Sequence, residues 1–378
     1  MTTPVATPSP RSVAPSGGIA RIAAPRGARP HGLYDLTLHD LETRVVDLGF
    51  PVYRARQVWS WVYRQLVADY IAMTNIPAAL REALSIAAPL SLLEPVRTLT
   101  ADDGETIKTL YRTGDGQVLE TVLMFYPDRA TVCVSCQVGC AVGCAFCATG
   151  LMGLARNLSA GEMVAQVAGA AREAHQRGRT LTNIVMMGMG EPLHNYDATM
   201  AFIGIIHDPD GLDIGARRIT ISTSGIVPKI DALAMEPLQL NLAVSLHAPD
   251  DELRSSLVPI NRRYPIAMLM ASIDRYIEKT GRRVSFEYAL MRGINDSEEI
   301  ARDLAALLRG RLCHVNIIPL NPVDVLPYER PDAAGIERFA SILREAAIAT
   351  TVRYSRGLDI DAACGQLRAK EEATRAAS

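Results

Sequence analysis

Apolar positions recur at helical spacing in the first part of the chain and at strand spacing later. Within residues 34–90, Leu41–Leu48 is short and amphipathic. Val58, Trp61, Val62, Leu66 and Tyr70 keep the helical period across Val52–Ala72, and Asn75-Ile76-Pro77 opens a further helix through Leu84. The pattern predicts a small helical bundle. After residue 92 the period shortens. Val96–Leu99, Thr106–Tyr111 and Val118–Met124 alternate as antiparallel strands do, with Asp102-Asp103-Gly104 and Gly114-Asp115-Gly116 as turns.

From residue 130 apolar, β-rich runs alternate with helical stretches. The strand candidates are Thr131–Ser135, Asn183–Gly188, Arg218–Ser222, Leu240–Leu246, Val284–Leu290 and His314–Pro319, with Val352–Ser355 as a last strand. Helices are predicted over Ser159–Arg177, Ile266–Thr280, Glu298–Leu308 and Ala333–Ala347. Ser159 and Glu162 have the spacing of a capping box. A βαβα rhythm of this kind implies parallel strands with crossover helices. Six such units suit an α/β fold built as an open, partial (β/α)6 barrel, with catalytic residues at the C-terminal ends of the strands.

Composition narrows the class. The chain has 378 residues, 48% hydrophobic and 21% charged, in the range of globular proteins. No apolar run is long enough to span a membrane as a helix, so no membrane association is expected. Residues 1–30 differ, with six prolines, four arginines and no acidic residue. Such a stretch buries too little apolar surface to order itself and is expected to be a disordered tail. Its prolines oppose the amphipathic helix of a transit peptide, and no apolar core of a signal peptide is present; a cytoplasmic location is expected. Beyond the tail the chain carries 35 basic and 41 acidic residues. Bulk charge therefore gives no support for nucleic-acid binding, and any such contact must be local.

Seven cysteines are the sharpest signal, five of them between Cys133 and Cys147. Cys140, Cys144 and Cys147 have C-x3-C-x2-C spacing on a loop directly after the first barrel-like strand. Three thiolates on one loop can hold three irons of a [4Fe–4S] cluster, leaving the fourth iron open to a substrate's amine and carboxylate. Zinc is the competing reading: Cys133-x2-Cys136 and Cys144-x2-Cys147 form two knuckles. Their separation is short for a structural zinc site, and Cys140 is left unused. A zinc-stabilised RNA-binding module without catalysis stays open at this point.

The three-cysteine loop followed by βα units resembles the radical S-adenosylmethionine (SAM) superfamily. Further matches are Glu120-Thr121-Val122, Arg129-Ala130-Thr131-Val132-Cys133-Val134-Ser135, Gln137-Val138-Gly139-Cys140, Gly188-Met189-Gly190-Glu191-Pro192, Ile221-Ser222-Thr223-Ser224-Gly225, Ser245-Leu246-His247-Ala248 and Asp361-Ala362-Ala363-Cys364-Gly365-Gln366-Leu367. This ordered set resembles the dual-specificity RNA methyltransferase family that methylates adenine C2 in 23S rRNA and in the tRNA anticodon loop. A sister family methylates C8 of the same rRNA adenine and confers antibiotic resistance; it shares the loop and both catalytic cysteines.

The resemblance implies a domain plan and a set of roles. Residues 31–90 would be an RNA-binding accessory domain similar to a helix-hairpin-helix module, 91–128 a small β-element, 129–357 the radical SAM barrel and 358–378 the segment with the methyl-carrying cysteine. One [4Fe–4S] cluster per chain would sit on Cys140, Cys144 and Cys147, and two SAM molecules would be used per turnover. The SAM contacts carried over are Gly190, Glu191, Ser222, Ser245, Leu246, His247 and Asn321. Adenine C2 is electron-poor and does not attack the SAM methyl as a nucleophile, so a radical route is required.

In the implied ping-pong mechanism Cys364 is methylated by one SAM. A 5′-deoxyadenosyl radical from a second SAM removes a hydrogen from that S-methyl group. The methylene radical adds to C2, and Glu120 serves as proton acceptor. Cys133 then attacks the sulfur of Cys364, releasing product and leaving a disulfide for a thiol reductant to reset. The partners implied are 23S rRNA, tRNA, an electron donor such as flavodoxin, and the thiol reductant, with the enzyme a monomer.

Read without the family, many of these residues have ordinary explanations. Cys364 could be an inert thiol, Cys133 and Cys313 core, and Glu120 a solvated strand residue. Cys136 could be a spectator or compete in disulfide exchange. Met186, Met187 and Met189 read as core. The pairs Arg217-Arg218, Arg262-Arg263 and Arg282-Arg283 could meet phosphates or solvent alone. The basic and aromatic residues from Tyr53 to Arg64 could pack or bind nucleic acid.

Overall fold

The computed structural model describes residues 32–90, 92–323 and 326–367. The tail expected over 1–30 lies outside them. Three helices come first, Leu38–Asp47, Tyr53–Tyr63 and Ala78–Ala87. The strands follow in chain order: β1 Leu93–Thr100, β2 Thr106–Thr113, β3 Val118–Tyr126, β4 Arg129–Cys133, β5 Gln137–Gly139, β6 Leu154–Asn157, β7 Leu181–Met186, β8 Ile219–Thr223, β9 Asn241–Ser245, β10 Val284–Leu290, β11 Cys313–Pro319 and β12 Thr350–Val352.

Ten of these form one sheet in the order β1-β2-β3-β4-β7-β8-β9-β10-β11-β12, and β5 pairs with β6 alone. The pairs from β4 onward in this order are all parallel. Helices fill each crossover: Ala160–Gln176, Tyr196–His207, Val227–Leu233, then Asp251–Leu257 with Ile266–Thr280, Glu298–Leu308 and Ala333–Glu345. β1 and β12 remain at opposite edges, so the sheet is an open barrel of six βα units followed by a last short strand. This is the expected partial barrel.

Local chemistry explains the helix starts. Ser159 Oγ accepts from the Glu162 N–H at 3.1 Å, and the Ser159 N–H donates to Glu162 Oε2 at 2.8 Å. Ser297 Oγ accepts from the Ile300 N–H at the start of Glu298–Leu308.

Two expectations are corrected. The helix foreseen over Val52–Ala72 ends at Tyr63. Leu66 adopts a φ of 57°, which turns the chain, and Asp69 caps a short 3-10 turn over Tyr70–Ala72. Tyr70 is still buried, but through its hydroxyl's bond to the Ala88 carbonyl at 2.6 Å. The β-element is also not a separate piece. β3 pairs antiparallel with β4, Val122 opposite Cys133, so β1–β3 extend the barrel sheet. The N-terminal helices share its core as well: Leu33, Tyr34, Trp59 and Tyr63 are buried in the cluster that includes the barrel residues Val167 and Ile184. The Gly161 N–H donates to Asp35 Oδ1 at 2.7 Å, joining this region to the first barrel helix.

In the second helix the aromatics divide. Trp59 and Tyr63 pack with centroids 4.4 Å apart and are buried, while Tyr53 and Arg56 are exposed. Packing therefore accounts for the large rings, and only the outer face is available to a partner.

Candidate active site

Parallel strands end together, and the residues at those ends line a cavity of about 180 Å³. Cys140, Cys144 and Cys147 line it beside Gly190 and Glu191 after β7, Ser222 within β8, Ser245 at the end of β9, His247 just beyond, and Asn321 after β11. Of the expected SAM contacts only Leu246 is not in the lining; it is fully buried behind it. Cys364 is also in the wall.

The cysteine loop is fastened from two sides. The Ala145 N–H donates to the Leu257 carbonyl at 2.9 Å, and the Ala148 N–H to the Gly365 carbonyl at 2.8 Å. Burial raises the Cys140 thiol to about 12. Burial raises Cys144 too, followed by the charges of Cys147 and Cys140, so the three thiols lie within electrostatic reach of one another. Among the described residues, no three His, Cys, Asp or Glu side chains converge as a single metal ion requires. The donor set, three thiols spread along one cavity wall, fits a multi-iron cluster. Cys133 and Cys136 are not in that lining.

Glu191 is buried and fully engaged. Its Oε2 accepts from the Ser224 N–H and hydroxyl, both at 2.7 Å, and its Oε1 from the Leu193 N–H at 3.0 Å. Gly190 beside it has a φ of 105°, and a Cβ there would lie 2.6 Å from Gln137 Cβ, so the turn requires glycine. His247 has a φ of 62° and is buried. Its Nδ1 accepts from the Ala289 N–H at 2.9 Å, which fixes the proton of the neutral ring on Nε2. Burial, then the Arg254 charge, lowers its pKa to about 3. Phe146 of the cysteine loop stacks edge-on against it, centroids 4.7 Å apart.

Asn321 Nδ2 donates to the Cys364 carbonyl at 3.0 Å and to Ser355 Oγ at 2.9 Å, while its Oδ1 is buried without a partner. An orphaned acceptor in the wall is what a bound donor ligand would satisfy.

A second cavity of about 40 Å³ adjoins the first and is lined by Cys133, Val122, Met187, Arg353 and Cys364. Cys364 stands in the wall of both. Cys364 has exposed surface, yet protein surrounds its thiol and this desolvation raises its pKa, opposed by Arg353. Cys133 is buried, and its thiol is pushed up to about 12 by burial and by the charge of Cys364. All seven cysteines are free thiols.

Glu120 lines neither cavity. It is buried on β3, shares a face with Val122 and Cys133, and pairs with Lys108 Nζ at 3.2 Å. Lys108 Nζ also donates to the Asp361 carbonyl at 3.2 Å, so this pair braces the segment that carries Cys364. Cys136 is a buried donor to the Met189 carbonyl and lines neither cavity. Cys313 begins β11 in the core. Of the methionines read as core, Met186 and Met189 are buried in the core and Met187 packs partly buried against it, while Met186 and Met187 also line the main cavity.

The sequence reading overlooked Arg254. It is fully buried, and burial lowers its pKa to about 10. Its guanidinium donates to the carbonyls of Ser224 at 2.8 Å, Ser245 at 3.1 Å and Leu246 at 3.1 Å, and to Asn261 Oδ1 at 2.7 Å. It thereby ties the ends of two strands to the helix that holds the cysteine loop. Glu287 and Arg353 were also missed; a carboxylate inside the apolar run Val284–Leu290 was the available signal.

Comparisons agree with this geometry. Residues 134–305 match the Radical SAM superfamily, and residues 31–89 match the ribosomal RNA large subunit methyltransferase N-terminal domain. A Roseiflexus castenholzii protein named "Probable dual-specificity RNA methyltransferase RlmN" is 50% identical, covering 89% of this chain and 95% of its own. A Geobacillus kaustophilus protein of the same name is 49% identical over 90% of this chain and 93% of its own. The crystal structure of a radical SAM methyltransferase from Sphaerobacter thermophilus superposes with a TM-score of 0.89 at 65% identity, covering 90% of this chain and all of that one. Among the described residues no helix is long and apolar enough to cross a membrane. The chain belongs to the RlmN family of dual-specificity RNA methyltransferases within the radical SAM superfamily.

Proposed function

We propose that this chain methylates C2 of an adenine in 23S rRNA and in the tRNA anticodon loop, carrying the methyl group on Cys364. The observation that carries the reading is the position of Cys364 in the wall of two cavities, one shared with the cysteine loop and one with Cys133.

A [4Fe–4S] cluster on Cys140, Cys144 and Cys147 would supply the electron that cleaves SAM to a 5′-deoxyadenosyl radical. Gly190 gives close backbone approach for the SAM methionine, and Glu191 holds that turn through Ser224. Ser222, Ser245 and the Nε2–H of His247 offer hydrogen bonds along the same wall. Asn321 Oδ1 awaits a donor there. Leu246 supports the wall from behind.

Cys364 takes a methyl group, then gives up one of its hydrogens, and the resulting S-methylene radical bonds to adenine C2. Glu120, on the strand face that Val122 and Cys133 share, would accept the C2 proton, and the adduct's surplus electron would return to the cluster. The Cys133 thiolate attacks the Cys364 sulfur; the carbon–sulfur bond breaks, the released carbon takes up a proton, methylated RNA leaves, and a disulfide forms. A thiol reductant restores both thiols, and a donor such as flavodoxin supplies electrons. The burial of Cys133 keeps it protonated, and therefore quiet, until substrate is bound. The enzyme works as a cytoplasmic monomer.

The test is anaerobic reconstitution followed by incubation with SAM, reductant and 23S rRNA fragments or tRNA, with mass spectrometry of the digested nucleosides. 2-Methyladenosine is expected. 8-Methyladenosine would move the protein to the sister chemistry, and bound zinc with neither iron nor methylated adenosine would overturn the reading.

A further inference from the structure

Glu287 lies in β10, whose other residues are mostly apolar and buried, and is itself only 5% exposed. Its Oε1 accepts from Asn316 Nδ2 at 2.8 Å. Its Oε2 is buried with no hydrogen-bond partner. Buried polar groups are nearly always paired, and a buried carboxylate oxygen left alone is costly. The geometry around it points outward. Glu287 lines the main cavity together with Cys364, and it also lines an open groove of about 720 Å³. Arg283, Asn316 and Arg353 are in the wall of that groove, and Arg353 continues into the small cavity beside Cys364.

We propose that Glu287 Oε2 reads the 6-amino group of the target adenine within the main cavity that it shares with Cys364; the proposal rests on the RNA-methylating function proposed above. The Watson–Crick edge of adenine carries C2–H, N1 and the 6-amino group in a row. An extruded base that turns C2 towards Cys364 presents its amino donor on the same edge. A carboxylate oxygen accepts that bond. Guanine places a carbonyl oxygen against the carboxylate and an amino group on C2, so it is rejected twice. SAM also carries an adenine, and the experiment separates the two sources. The RNA base is favoured because its C2 must reach Cys364, which lines the same cavity as Glu287.

The test uses the reconstituted holoenzyme and RNA whose target adenosine is either retained or replaced by purine riboside, which lacks the 6-amino group. The wild type is expected to favour adenosine by about tenfold or more in kcat/KM. Glu287→Gln keeps the shape and turns the orphan acceptor into a donor. It is expected to lose about tenfold or more on adenosine and to lose the preference, with its SAM Kd within about twofold of wild type. Unchanged preference in the variant would overturn the proposal. A weakened SAM Kd with the RNA preference intact would also overturn it, and would assign the oxygen to the SAM adenine. Iron content and melting temperature confirm that the variant is folded, and if it is not, the wild-type comparison of the two RNAs decides alone. A wild type that methylates no RNA at all would instead overturn the function proposed above.

Discussion

Cys133 and Cys364 face one small cavity, the first from the end of β4 and the second from the segment after the last strand. β4 fixes Cys133 by pairing it with Val122 on one side and Val185 on the other. Cys364 is held by its carbonyl, which accepts from Asn321. A thiol held in a strand therefore lines the same small cavity as a thiol on a loop.

Cys364→Ala removes the proposed methyl carrier but none of the loop cysteines. Methylation is expected to fall below detection while iron content stays at the wild-type level. Mass spectrometry of product nucleosides and iron analysis check both; strong methylation by the variant would exclude the carrier role.

Cys133→Ala is expected to stall after carbon–carbon bond formation. The enzyme should then stay covalently attached to RNA through Cys364, visible as a shifted band on a denaturing gel. Free methylated RNA at the wild-type rate would remove Cys133 from the reaction.

Arg254→Met keeps a similar length of side chain and strands four acceptors, three strand-end carbonyls and Asn261 Oδ1. The loss is expected to cost about 3 kcal/mol or more in unfolding free energy, measured by urea denaturation of the apoprotein. A cost under about 0.5 kcal/mol would show that the guanidinium is replaceable.

His247 couples stability to pH. Its folded pKa is about 3, below the ordinary value of 6.5. The unfolded chain therefore binds the extra proton first as pH falls. The neutral ring's contribution is full above pH 6.5 and is lost progressively towards pH 3. The slope is at most about 1.4 kcal/mol per pH unit. Asparagine tolerates the left-handed backbone at this position, so His247→Asn is expected to flatten the stability–pH curve between those limits. An unchanged slope in denaturation at stepped pH would sink this account.

The barrel was largely legible in the sequence because its signals are local. Ile266–Thr280, Glu298–Leu308 and Val284–Leu290 lie at their expected bounds, since period and caps agree there. The helix break at Leu66 was not legible, because Tyr70 fell at helical spacing but is buried by a different route. Nor was the pairing of β3 with β4, since alternation identifies strands and not their neighbours. The cysteine loop and the strand-end residues announced themselves by spacing and by motif. Arg254 did not: its partners are main-chain carbonyls, which any sequence supplies, so nothing in the residue pattern marks them. Glu287 left a clue, a charge in an apolar strand, but its unpaired oxygen exists only once Asn316 is beside it.

The bond from the Ala148 N–H to the Gly365 carbonyl joins the residue after Cys147 to the residue after Cys364. Thr149 Oγ1 adds a bond to the Leu367 carbonyl at 2.7 Å, so the loop that would hold iron and the segment that would hold the methyl group are moored to each other. Damage at one is felt at the other. A loop that comes undone releases the backbone beside Cys364 as well, so order in one segment is the condition for order in the other.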